Sequence, residues 1–449
     1  VIRRFLSALR RLWRRPARLL LIGVLLLCIA LGAWVVGAQI WALHHYWAAE
    51  RALEIFQVTE ARRHLDACVR VWPKCARTRL LAARAARTTG DLTAAEKHLQ
   101  VAELYPGEVS ADVIDLEHYL IKAQRGDSEA VLRYCRSLVA EDHPQTPLIL
   151  EAMAQGYVRM FRLGEAQVCL RVLLDRQPDN PQGLYLRAWV WEQQSNHPEA
   201  AADYRHVLKV TGGNEDARLR LASCLFSMSQ PADAARHLER LRRRHPKSQL
   251  ILTRLARCRH ELGQQEEAIR LLDLVLAHDP PFPPALVERG QLALQTGDPA
   301  GAERLLRQAV AASPIDYKAH FLLHQALAHQ GKQEAAREAE KKLTALRSDI
   351  DRIRDIIGRE MTARPHDPNL HYRLGEVLLR GGDTKESLRW LRSALREDPG
   401  HKPTHQLLAD YYLKIGSVGR SLRHRKLARG NERALALGPS AGGRPGPGP

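Results

Sequence analysis

The chain has 449 residues, 45% of them hydrophobic but only 6% aromatic, with a formal net charge of +18. Leu, Ala, Arg, Glu and Gln outweigh the β-branched residues, which favours helices over strands. Seven positive charges (Arg3, Arg4, Arg10, Arg11, Arg14, Arg15 and Arg18) precede the first acidic residue, Glu50, so the remainder carries +11; that mild excess joins no window of stacking aromatics and speaks against a nucleic-acid module.

Residues 1–18 form a basic leader. From Leu19 to Leu43 the chain runs LLLIGVLLLCIALGAWVVGAQIWAL, without a charge and with Gln39 as its strongly polar side chain. At about 1.5 Å per residue this run reaches about 37 Å, enough to cross a hydrocarbon core of about 30 Å. Trp34, Trp41, Tyr46 and Trp47 fall towards its far end, where amphipathic rings sit well among headgroups, and the arginines lie at the other. The charge bias predicts a single-pass helix in a bacterial-type inner membrane, with the N-terminus cytoplasmic and everything beyond outside the cytoplasm. A cleaved secretory signal ending at Ala38 is the competing reading; an apolar run longer than the usual signal core favours retention as an anchor. Beyond it Cys68, Cys75, Cys135, Cys169, Cys224 and Cys258 form no Cys-x-x-Cys unit and read as small buried apolar residues rather than required bridges.

The main feature is a period of 34 residues: Ala166, Ala200, Ala234, Ala268, Ala302 and Ala336 recur at that interval. Ala154, Ala188, Ala222, Ala256 and Gly290 stand twelve residues upstream of the first five, and Pro178, Pro246, Pro280 and Pro314 stand twelve residues downstream of four. Each unit reads as two amphipathic helices that cross at small residues, with a turn marked by Gly164, Gly263 and Gly297 and a proline ending the second helix.

These units resemble the tetratricopeptide-repeat family. The resemblance implies an all-α, right-handed superhelical solenoid of about 10 or 11 helix-turn-helix units behind one N-terminal transmembrane helix at residues 19–43. Divergent units occupy residues 44–145, a regular array 146–343, and C-terminal units with a basic cap 367–435. In this family the first helix of each unit lines a concave groove through its second, fifth, ninth and twelfth or thirteenth residues. Carried over, this places Glu151, Gln155, Arg159, Tyr185, Trp189, Arg257, Phe321, Gln325, Tyr372 and Glu376 in the groove, with Trp191 in the core. Arg159, Tyr185, Trp189, Arg257, Phe321 and Tyr372 are the expected anchors for a protein or peptide partner. Some members hold a C-terminal carboxylate through a Lys and Asn clamp; the corresponding positions here are Glu151 and Gln155, Tyr185 and Trp189, Leu219 and Ser223, so that clamp is absent.

Residues 344–366 are an insertion predicted to extend one helix. Leu343, Leu346, Ile350, Ile353 and Ile357 make a coiled-coil-like seam along it, either folded back on the neighbouring repeat or open to self-association. Residues 436–449 form a Gly/Pro-rich tail predicted to be disordered. No phosphate loop, nucleophile elbow or His-Glu-x-x-His occurs, and His320 with His324 lack a third ligand, so no enzyme, cofactor or metal is expected. The reading is a membrane-anchored scaffold; the alternatives are an electrostatic binder of nucleic acid or acidic polysaccharide and a structural spacer in an envelope complex.

Overall fold

A computed structural model describes residues 16–54, 57–105, 107–126, 129–278, 281–364 and 366–430. The first 15 residues of the leader, Pro280 and the tail at 436–449 lie outside the described residues. By its internal contacts the chain divides into two units, one comprising residues up to 194 with 202–214, the other 195–201 with 215 onwards. The division falls inside the stretch that the sequence treats as one regular array.

The first unit starts with α1 (Pro16–Glu54), followed by α2 (Val58–Val71), α3 (Ala76–Thr88), α4 (Leu92–Glu103), α5 (Ala111–Arg125), α6 (Glu129–Ala140), α7 (Thr146–Arg159), α8 (Leu163–Arg176) and α9 (Pro181–Gln193). Helix α10 (His197–Thr211) carries the chain across the division. The second unit continues with α11 (Glu215–Ser227), α12 (Pro231–Arg244), α13 (Gln249–Glu261), α14 (Gln265–Leu276), α15 (Pro283–Gln295), α16 (Pro299–Ala312), α17 (Tyr317–His329) and α18 (Gln333–Asp355). A π-helical turn at Ile356–Glu360 and a short turn at Met361–Ala363 lead to α19 (Pro368–Arg380), α20 (Thr384–Glu397), α21 (Lys402–Lys414) and α22 (Val418–Ala428). Among the described residues there is no strand.

Successive helices pack as antiparallel pairs, α1 on α2, α3 on α4, α13 on α14 and α19 on α20 among them. The periodic alanines explain the close approach. Ala166, Ala200, Ala234, Ala268 and Ala302 are fully buried, as are Ala154, Ala188 and Ala256. At Gly156 the contact is tighter still: a Cβ there would stand 2.1 Å from the Ala123 carbonyl oxygen, so α7 can meet α5 only through a glycine. Asp91, Asn180, Asp298, Asp316, Asp367 and Asp383 accept a backbone N–H at helix starts, and prolines occupy first-turn positions of α7, α9, α12, α15 and α16, where a missing donor costs nothing.

The turn inside each repeat corrects one expectation. Its left-handed residue is Phe161, Ser195, Ser229, Gly263, Gly297 and Gly331 in succession, every 34 residues, with φ between 57° and 78°. Gly164 is not that residue: it lies within the first turn of α8, and Phe161 bears the positive φ instead. Trp191 also departs from expectation, being half-buried rather than enclosed.

Helix α1 does not stop where the apolar run does. Residues 24–36 are largely exposed, but Ala42 and Ala49 are fully buried against the first repeat, so the last turns of the run already serve as packing surface. The Trp72 indole N–H donates to Gln39 Oε1 at 2.5 Å, the Cys68 thiol to the Ala42 carbonyl at 3.3 Å, and His45 and His64 share a hydrogen bond of 2.6 Å. Helix α1 is therefore at once the apolar helix and the first helix of the first repeat. On the inserted seam, Leu343 is buried, Leu346, Ile350 and Ile353 are half-buried and Ile357 is exposed. Ile356 is fully enclosed and the π turn packs on α19, so most of the seam is covered within its own unit.

Candidate functional site

In the first unit the helices enclose a cavity of about 390 Å³. Its wall comes from Glu50 and Leu53 of α1, Leu81, Arg84, Arg87 and Thr88 of α3, Glu151 of α7, and Gln182 and Tyr185 of α9. Arg84 and Arg87 both meet one carboxylate: Arg84 Nε donates to Glu117 Oε1 at 2.6 Å and Arg87 Nε to Glu117 Oε2 at 3.1 Å. Arg87 and Glu117 are essentially without solvent contact, whereas Arg84 keeps an exposed edge.

Two features make this cluster unusual. First, neither Arg87 Nη1 nor Arg87 Nη2 has a hydrogen-bond partner among the described residues, nor does Gln124 Oε1, whose amide nitrogen donates to the Arg87 carbonyl at 2.9 Å. Buried donors left unmade are costly, and native folds keep few of them. Second, Glu151 is 4% exposed, and burial pushes its carboxyl above the usual carboxylate range, outweighing the Arg87 charge that favours ionisation. The Gln155 amide donates to Glu151 Oε1 at 3.4 Å. The cavity wall thus includes an arginine with two unpaired nitrogens, Arg87 Nη1 and Nη2, and a carboxyl biased towards its neutral, donating form.

The expected anchors divide between the units. Tyr185 lines this cavity, its ring edge-on to Tyr204 at 5.7 Å. Trp189 is half-buried on the apolar core and meets Phe161 edge-on at 6.3 Å, so it serves packing. Arg159 is exposed and reaches the α3–α4 turn, where a Cβ at Gly90 would stand 3.9 Å from its Nη2. Glu151 and Gln155 are buried rather than freely presented. In the second unit Arg257 lies over the Phe226 ring at 4.3 Å and lines a smaller cavity of about 230 Å³, beside Arg254, which donates to Ser223 Oγ at 2.7 Å. Phe321 is 41% exposed and stacks with Tyr317, and Tyr372 donates to Glu376 at 3.0 Å; neither lines either cavity.

Arg84, Arg87 and Glu117 were not singled out from the sequence, although part of the signal was present. With Ala95 at the recurrent alanine, α3 starts at Ala76, and Arg84 and Arg87 become its ninth and twelfth residues, both groove positions. His320 and His324 bond backbone carbonyls of Pro314 and Ala336. The six cysteines beyond α1 form no disulfide with one another; burial pushes the Cys135 and Cys258 thiols up to about 11 and that of Cys169 up to about 12.

A family profile described as tetratricopeptide repeat matches residues 48–109, 151–217, 287–349 and 350–402, and a second of the same description matches 193–249 and 225–286. The chain belongs to the tetratricopeptide repeat family. The first matched repeat begins at residue 48, inside α1, where the structure also places the first repeat helix. A search of the curated proteins found no match to this chain. Among solved structures, the chain is similar to PilW, a type IV pilus biogenesis factor, with 20% identity over 45% of this chain and 93% of that one at a TM-score of 0.40. A tetratricopeptide repeat protein from Parabacteroides merdae shows 20% identity over 56% and 99% at 0.37. Human IFIT1 in a dimer with m7Gppp-AAAA shows 16% identity over 80% and 90% at 0.38.

Proposed function

We propose that this tetratricopeptide repeat protein is a membrane-anchored scaffold that holds a segment of another protein in the cavity of its first unit. Repeat proteins of this kind generally bind proteins or peptides, and α1 is long and apolar enough to cross a membrane. The observation that carries the reading is the cavity wall on which Tyr185 and the partly exposed Arg84 stand with Arg87, whose Nη1 and Nη2 are unpaired. A chain segment entering there brings carbonyl or carboxylate oxygens to the arginines and an apolar side chain to the tyrosine ring. The positive leader puts the N-terminus in the cytoplasm of a bacterial-type cell and the repeats on the other side of its inner membrane.

Site-specific photo-crosslinking tests this in cells. A photoreactive residue at Gln182, on the cavity wall, is expected to capture one discrete partner, whereas one at exposed Val168 is not. Tyr185→Ala is expected to weaken that partner's binding about tenfold while the variant's circular dichroism shows the repeats still folded at the binding temperature. Capture at Val168 with none at Gln182 overturns the cavity as the site. A compartment-sensitive reporter fused after Gly430 reads the orientation; activity in the cytoplasm reverses it.

A further inference from the structure

Resting on the reading that α1 crosses a bilayer, we propose that the first two repeats lie on that bilayer. Their α2–α3 and α4–α5 turns would be seated among anionic phospholipid headgroups. The depth follows from the register of α1 against α2. The Trp72–Gln39, Cys68–Ala42 and His64–His45 contacts show α2 running antiparallel to α1, back towards the membrane. Counted from Leu19, a hydrocarbon core of about 30 Å takes about 20 helical residues and ends near Ala38. Trp72, level with Gln39, then stands at the boundary, and the turn that Pro73 and Lys74 make beside it lies at the inner edge of the headgroup layer. A span ending at Leu43 would carry Trp72 and the charged Lys74 about 6 Å into hydrocarbon, so the seating requires the span to end near Ala38.

The second turn is tied to the first. Glu108 Oε2 accepts the Ala76 backbone N–H at 2.7 Å, and Arg77 Nε donates to the Glu108 carbonyl at 3.2 Å. Arg79 Nε donates to the Pro73 carbonyl at 2.9 Å, closing the first turn onto α3. The paired turns present the features of an interfacial surface. Leu104 is 71% exposed, more than any other large hydrophobic residue outside α1 among those described. Arg70, Lys74 and Arg77 are exposed at the end of α2, in the first turn and at the start of α3; Glu103 is paired with His118 at 2.6 Å, and Glu108 is engaged with α3. Trp41 and Trp47 stand exposed on α1, about 3 Å and about 12 Å beyond the level of Gln39. An apolar tip flanked by indoles and cations suits the headgroup layer of an anionic membrane and is out of place in bulk water.

Full-length protein in nanodiscs of phosphatidylethanolamine and phosphatidylglycerol tests the proposal. With Cys28→Ser and Cys75→Ser as background, an environment-sensitive fluorophore is attached through Lys74→Cys, Leu104→Cys, Thr89→Cys or Leu31→Cys. Lipids bearing a spin label in the headgroup are expected to quench positions 74 and 104, with a fluorescence loss at least twice that at 89, which lies at the opposite end of α3. Lipids spin-labelled in mid-chain should quench position 31. Quenching at 31 with 74 and 104 no more affected than 89 overturns the seating and leaves the span standing. No quenching at 31 overturns the span, and the seating with it. Arg70→Glu combined with Lys74→Glu is expected to reduce quenching at 104; an unchanged signal removes the anionic headgroups from the proposal.

Discussion

At Ser229 the chain accepts a left-handed backbone, φ 57°, on a residue with a Cβ, at a position that Gly263, Gly297 and Gly331 fill in the following repeats. Left-handed conformation costs an L-residue about 1 kcal/mol, and Ser229 is exposed, so Ser229→Gly is expected to raise stability by about 0.5–1 kcal/mol in denaturant titration. A second residue sets an acid limit. Glu303 accepts from Lys332, Arg307 and Gln330, and these contacts, the Lys332 ammonium first, hold its carboxyl down to about 2 from an ordinary 4.5. Since the folded value lies below the unfolded one, the stabilisation is complete above about 4.5 and is lost as pH falls towards about 2. Melting curves of wild type and Glu303→Gln should differ near neutrality, the variant being less stable by about 1 kcal/mol, and converge at the acid end. How legible such residues were differs case by case. The alanine period fixed the helix crossings, and the same period points to position 161, but a phenylalanine there hides a turn that glycine advertises. Arg84 and Arg87 fall on groove positions once α3 is put in register. Glu117 is the eighth residue counted one interval on from Ala76 but the fifth, a groove position, counted one interval back from Pro147, because that repeat begins three residues later than two intervals from Ala76. No one-dimensional rule predicts that the two arginines would share one buried carboxylate.

Helices meet here through what their small residues permit. Gly156→Ala places a methyl group against the Ala123 carbonyl, which is backbone and cannot swing away as a side chain would. The α5–α7 contact must then open, at a cost of about 1–3 kcal/mol. The expected readout is faster amide exchange in α5 and α7 with α19–α22 unchanged; uniform exchange throughout would count against the close approach. At the other end of the chain, α22 is held to α21 partly by the His405–His424 hydrogen bond of 2.9 Å. Burial, then the neighbouring His405 and Arg423, bring His424 down to about 4. Its folded value lies below the unfolded 6.5, so the contact is at full strength above about 6.5 and weakens as pH falls towards about 4. Amide exchange in α22 should accelerate over that window before α20 responds. The long α18 was legible from its apolar spacing, but the π turn that closes it was not. It arises because Ile356 is drawn inward while the chain still has to reach α19.

For the whole molecule, what the partner is made of can be read from salt. A segment held by Tyr185 and a few buried donors should lose little affinity between about 50 and 200 mM salt, whereas a polyanion attracted by the overall positive charge should lose several orders of magnitude. The passage of α1 into the first repeat without a linker adds a constraint of another kind. A tethered receptor on a flexible leash samples a hemisphere, and its effective concentration is set by the leash; this one has no leash. With α1 as the span, Glu50 on the cavity wall is eleven residues beyond Gln39, about 16 Å along the helix. Any captured segment is therefore confined to a thin layer over the bilayer, where the search for a partner in the same membrane is two-dimensional. With α1 as the anchor, tilting or rotating it re-aims the cavity, because Glu50 and Leu53 of the same helix form part of the cavity wall.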